Sequence, residues 1–191
     1  MPIFVRAKQI VESGELGEIT GASYRFARAC HRENLGWRGD AAIAGGALTL
    51  DLGSHALNAI DWIVGPLEAI AGHSIGTAGV ERASSLLFRT ANGSPGMMQF
   101  NLATDANEEM IEISGTKGRL RWPCFGNVEL TIERGKQITT ERHPPGPHVH
   151  QPLIQSIVDE LNGVGRCSSD AGSALRTTQL LDVAMAGARK S

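Results

Sequence analysis

Met97-Met98-Gln99-Phe100-Asn101-Leu102-Ala103 alternates apolar and polar residues, which puts Met98, Phe100 and Leu102 on one face of a strand. The same period of two runs through Met110–Ser114, with Ile111 and Ile113 in phase, and through Val128–Glu133, with Val128, Leu130 and Ile132 in phase. Strands are also predicted over Leu67–Ser74, Ser85–Thr90, Arg119–Trp122 and Gln137–Arg142. The separators Asn92-Gly93, Gly115 to Gly118 and Arg134-Gly135 are short hairpin-type turns. Seven strands so closely spaced predict an antiparallel meander, since parallel neighbours need long crossovers.

Outward from this block the period changes. Upstream, Gly17–Ala27 reads as one more strand, with Ala22, Tyr24 and Phe26 on one face. Before it, Ile3–Ser13 reads as a short amphipathic helix stopped by Gly14. A second helix follows the Gly45-Gly46 pair, carries Asp51 and His55, and ends near Gly65-Pro66. Downstream, the Pro-rich segment His143-Pro-Pro-Gly-Pro147 closes the sheet. Helices are then predicted over Gln151–Asn162, with Leu153, Ile154, Ile157, Val158 and Leu161 apolar, and over about Asp170–Ala186, capped by Ser169 or Asp170. The expected fold is α+β: one domain over 1–191, a predominantly antiparallel open sheet with helices on one face.

Bulk properties narrow the function. A chain of 191 residues with 41% hydrophobic and 20% charged residues is that of a soluble globular protein. A net charge of −2 gives no basis for binding nucleic acid or an anionic membrane. Cys30, Cys124 and Cys167 are odd in number and unpaired in sequence, which fits a reducing cytoplasm. The first residues lack the apolar region of a signal peptide, and Asp51, His55 and Asp61 interrupt the longest apolar run, so no membrane span is expected.

The chemistry concentrates in Gly45-Gly-Ala-Leu-Thr-Leu-Asp51-Leu-Gly-Ser-His55-Ala-Leu-Asn58. Residues i and i+4 project from one helix face, about 6 Å apart along the axis. A carboxylate and an imidazole so placed make a matched polar pair suited to general acid/base work. The competing reading is a helix-capping Asp beside a satisfied core His. Trp37 and Arg38, just ahead of this helix, could bind a polyhydroxylated or anionic substrate by stacking and hydrogen bonding; the alternative is packing of a surface loop.

Other signals are weaker. Gly72-His73-Ser74-Ile75-Gly76 matches the G-x-S-x-G nucleophile elbow, but the residues after it are too short and glycine-broken for the required helix. His143, His148 and His150 share a loop, yet no Cys or carboxylate cluster completes a zinc site, so no metal is expected. Met97, Met98, Met110 and Met185 are read as core filler.

Trp37-Arg38-Gly-Asp40, Ala44-Gly45-Gly46-Ala-Leu, Asp51-Leu-Gly-Ser-His55 and Trp62-Ile-Val-Gly65-Pro66 together closely resemble the catalytic core of the Gfo/Idh/MocA oxidoreductases. Ala7–Ile19, Ile113-Ser-Gly-Thr-Lys-Gly118-Arg-Leu and the helical C-terminus fit the same family's second domain, so the resemblance spans essentially the whole chain. It implies that His55 is the catalytic histidine exchanging a proton with a substrate hydroxyl or carbonyl, and that Asp51 contacts substrate and tunes it. It implies NAD or NADP, bound by an N-terminal Rossmann domain, a sugar- or polyol-like substrate, and a homodimer through the open sheet face. Asn58 stands where many members carry Asp, and His150 is placed beside the substrate pocket.

The family's G-x-G-x-x-G unit and Glu-Lys-Pro motif are not found here; Gly163-Val-Gly165 follows a helix rather than a strand and reads as a turn. The chain is therefore expected to be a second domain without its dinucleotide-binding domain, and inactive alone. Three functions follow: the substrate-binding and catalytic half of an NAD(P)-dependent oxidoreductase; a non-catalytic dimerisation or ligand-binding remnant; and, distantly, a serine hydrolase using Ser74.

Overall fold

The computed structural model describes residues 1–31, 34–126 and 128–186. Among the described residues, five α-helices, α1 (Pro2–Glu12), α2 (Ala41–Ala44), α3 (Leu48–Val64), α4 (Gln151–Leu161) and α5 (Ala171–Ala184), accompany eight strands. These are β1 (Ile19–Ala27), β2 (Glu68–Thr77), β3 (Val80–Arg89), β4 (Pro95–Asn101), β5 (Glu108–Gly115), β6 (Gly118–Trp122), β7 (Glu129–Arg134) and β8 (Gln137–Arg142).

They form one open sheet in the order β2-β3-β4-β1-β5-β6-β7-β8. The α+β class is as expected, but the meander is not continuous. β1 enters between β4 and β5, pairing parallel with β4 (Tyr24 opposite Met98) and antiparallel with β5 (Tyr24 opposite Ile111). Period two identifies strands and faces; it carries no information about which strand lies alongside which. The segment after β4 wraps the end of β1, where Arg28 and Cys30 donate backbone N–H bonds to Asn101 and Leu102.

The alternating residues do what the pattern requires. Tyr24, Phe26, Met98, Phe100, Ile111, Ile113, Leu120, Trp122, Leu130 and Ile132 all face the helices and are buried. α3 and α5 pack against each other, α5 covers β2 and β3, and α1 leans on α3 and β7. At one extreme Arg6 of α1 grips Glu141 of β8 through Nε and Nη2, at 2.8 and 2.9 Å.

Among the described residues no helix covers the outer sheet face. Leu87 and Met97 stand opposite each other there, 50% and 38% exposed, so Met97 is not core filler as expected; Met98 and Met185 are. Across β5 to β7 the outer face carries a charged lattice in which Glu133 pairs with Arg119 and Arg121, and Arg119 also reaches Glu112. α4 has the apolar stripe expected of it, yet none of its residues is buried. No helix among the described residues is long and apolar enough to cross a membrane.

Candidate active site

The helix α3 is held from three directions. Ala47 at its start has no side chain to cap it. The buried Glu81 of β3 supplies the acceptors instead, taking the N–H of Ala47 at 2.6 Å and of Thr49 at 2.8 Å. A carboxylate there satisfies orphan donors and meets the positive end of the helix dipole. At the other end, the buried Asp61 accepts from Leu67 N at 2.9 Å and pairs with Arg176 of α5 at 2.7 and 3.1 Å. Along its length Gly53 lets the helix approach Leu181, Met98 and Phe100; a Cβ there would lie 3.3–3.4 Å from all three.

The Gly45-Gly46 pair has two separate causes. Gly45 ends α2 at φ 72°, a left-handed geometry that favours glycine. A Cβ on Gly46 would crowd Met185 Cε at 2.9 Å and Leu50 at 3.0 Å, so those side chains would have to shift.

With Gly53, Ala56, Leu57, Ile60 and Ile63 buried, the opposite side of α3 stays open, and it carries Asp51, half-buried, and His55, exposed. The predicted pair is therefore together on one face, but its bonding differs from expectation. Asp51 Oδ2 accepts from Arg38 Nε at 2.6 Å, and no hydrogen bond to His55 is formed among the described residues. The Arg38 guanidinium also lies over the Trp37 ring, 4.5 Å from its centroid, and Trp37 is 57% exposed. His55 instead meets Phe125 edge to face, with centroids 5.6 Å apart and planes at 85°. Neither half of the competing reading describes this arrangement: capping falls to Glu81, and the imidazole is outside the core.

Trp37, Arg38, Asp51 and His55 thus form one open surface of stacking, cationic, anionic and titratable groups. Asn58 turns toward α5, its amide 3.5 Å from Thr177 Oγ1. His150 sits exposed at the N-cap of α4 and, among the described residues, shares no hydrogen bond, ion pair or ring contact with the other four. Phe125 and Glu81 had no sequence signal, because both act across the fold. Two cavities, of about 270 Å³ on the outer sheet face and about 360 Å³ beside Cys30, Glu81 and Asp105, are lined by none of Trp37, Arg38, Asp51 and His55.

Ser74 is no nucleophile elbow. It is buried inside β2, with strand on both sides and no helix following. The flanking glycines serve packing. A Cβ on Gly72 would lie 2.4 Å from the Val183 carbonyl oxygen of α5, and one on Gly76 would strike the backbone of Val80. Among the described residues no group of three or more His, Cys, Asp or Glu could hold a metal ion. Gly163 and Gly165 do not form a dinucleotide-binding loop: they lie in the exposed loop after α4, and the element before them is a helix rather than a strand.

No curated protein matches the chain. Among solved structures, levoglucosan dehydrogenase in complex with NADH and levoglucosan aligns with a TM-score of 0.81 at 18% identity, over 99% of this chain and 61% of that one. An oxidoreductase from Agrobacterium radiobacter, in complex with NAD+, L-tartaric acid and magnesium, gives 0.76 at 20% identity, over 98% and 60%. The WlbA dehydrogenase from Bordetella pertussis, with NADH and UDP-GlcNAcA, gives 0.74 at 21%, over 99% and 60%. The chain spans about three fifths of the length of these proteins, and at such identities the likeness is one of fold. The family model of the GFO/IDH/MocA C-terminal domain matches residues 4–121, and with most of its length so matched the chain belongs to the GFO/IDH/MocA oxidoreductase family as a C-terminal domain.

Proposed function

We propose that this chain is the substrate-binding and catalytic half of an NAD(P)-dependent oxidoreductase that interconverts hydroxyl and carbonyl groups on a sugar, cyclitol or related small molecule. The observation that carries the reading is the cluster on the open side of α3: Arg38 locked to Asp51 one turn from an exposed His55.

Each residue has a task its chemistry suits. The Trp37 ring offers a face on which the C–H side of a sugar ring stacks. The Arg38–Asp51 pair presents donors and acceptors together, the combination a vicinal diol needs. His55 exchanges the proton that must move when alcohol becomes carbonyl, and its exposure leaves the imidazole free to reach substrate. Asn58 and His150 complete the substrate contacts in this reading. The nicotinamide is held by a separate dinucleotide-binding domain, which also closes the open surface against water. Solved proteins of this fold were crystallised with NADH or NAD+, and two of them with levoglucosan and UDP-GlcNAcA, which supports this choice of cofactor and substrate class.

We further place the protein in the cytoplasm, where its three free cysteines stay reduced, as a homodimer through the outer sheet face with Leu87 and Met97 at its centre. The test is reduction of NAD(P)+ across a panel of sugars and cyclitols, with the chain joined to its dinucleotide-binding domain. Turnover on at least one member is expected. A folded dimer with no turnover on any of them would favour the non-catalytic dimerisation or ligand-binding unit.

A further inference from the structure

Among the described residues, the imidazole of His55 makes no hydrogen bond, and the ring it meets is Phe125, in the turn between β6 and β7. That turn has no regular structure to hold it. Its backbone is fixed from below by Glu109 of β5, whose Oε1 accepts the N–H of Cys124 at 2.7 Å and whose Oε2 accepts the N–H of Phe125 at 3.1 Å. Both carboxyl oxygens are thus committed to consecutive amides of one turn. We propose that Glu109 is a positioning residue for His55: it clamps the 123–126 turn so that the Phe125 ring fixes the orientation of the imidazole.

The surroundings of Glu109 fit a built clamp rather than a surface contact. Its carboxyl is pushed above its ordinary value by burial, partly offset by the Phe125 and Cys124 amides. Burial likewise raises the neighbouring Tyr24 and Cys124 side chains, which keeps both neutral beside it. The buried Tyr24 hydroxyl lies beside the same carboxyl, whose charge raises it further. A partly buried carboxyl is costly unless its acceptors are used, and the two amides use them. Arg28, on the loop after β1, offsets a little more of that shift through its charge.

The inference rests on the proposed role of His55 in proton transfer, but its test does not. The ring-proton signals of His55 are recorded by NMR in the 191-residue chain, with the backbone amide signals of Cys124 and Phe125 as an internal report on the clamp. Phe125→Ala removes the ring and should abolish the ring-current displacement of the His55 signals. Glu109→Gln keeps the shape but replaces one acceptor by a donor; it should move the two amide signals and shift His55 toward its position in Phe125→Ala. If the amides move while His55 stays at its wild-type position, the proposal fails. It fails equally if Phe125→Ala leaves His55 unmoved. Should Glu109→Gln not fold, Phe125→Ala and Glu109→Asp, whose shorter side chain reaches the turn less well, give the same reading. In the enzyme joined to its cofactor domain, Glu109→Gln should lower kcat with little change in KM. Intact NMR coupling beside an active His55→Ala enzyme would overturn the proposed function and leave the clamp standing.

Discussion

Arg38 Nε donates to Asp51 Oδ2 at 2.6 Å across thirteen residues of chain, tying the turn that carries Trp37 to the helix that carries His55. The carboxylate is therefore not a free neighbour of the imidazole; it is half of an ion pair that still has open faces, since both side chains are about a third exposed. Arg38→Ala should cost only about 0–1 kcal/mol of stability, the range of partly exposed pairs. Substrate binding should suffer far more, with KM rising about ten- to a hundredfold, as for loss of a charged hydrogen bond. Urea unfolding and steady-state kinetics on the same variant separate the two.

Asp61 behaves oppositely. It is buried, bonded to Leu67 N and paired with Arg176, and it has no access to the open surface. Asp61→Ala should destabilise by about 3 kcal/mol, the lower end for breaking a buried pair, because Arg176 keeps some water. Chemical unfolding measures this; KM in the remaining folded enzyme should stay close to wild type.

Gly72→Ala places a methyl against the backbone of α5 at Val183 and should cost about 1–3 kcal/mol as overpacking. A thermal melt of this variant indistinguishable from wild type would mean that α5 does not approach β2 as described.

The pH dependence of stability should show the clasp between α1 and β8. Arg6 and His143 hold the Glu141 carboxyl down from its ordinary 4.5 to about 2, Arg6 contributing most. A carboxylate held low stabilises the fold above the ordinary value and loses that contribution as pH falls toward 2. Glu141→Gln should therefore flatten the acid limb of stability between about pH 4.5 and 2, by less than about 1 kcal/mol given the exposure of the pair.

What could be read without coordinates was local. The period of two at Met98, Phe100 and Leu102 and the Gly65-Pro66 stop gave strands and helix close to their observed places. Asp51 and His55 were legible because four residues on a helix make one face. β1 beside β4 was not, because strand order is settled by tertiary packing. The same holds for Glu81 capping α3 from another strand, and for Phe125 against His55. Arg38 and Asp51 were each picked out, yet their bond was hidden, since the loop between them sets their distance. Gly72-His-Ser74-Ile-Gly76 misled in the other direction: two glycines needed for backbone contact happened to flank a buried serine.

The central claim is that His55 carries the proton. Its most direct test is the turnover of His55→Ala in the chain joined to its dinucleotide-binding domain, measured at saturating substrate. The account predicts a fall in kcat of about two to four powers of ten, with Asp51→Asn losing less because the imidazole survives. A His55→Ala enzyme with kcat within about a factor of two of wild type would contradict it, because a general acid/base contributes far more than that.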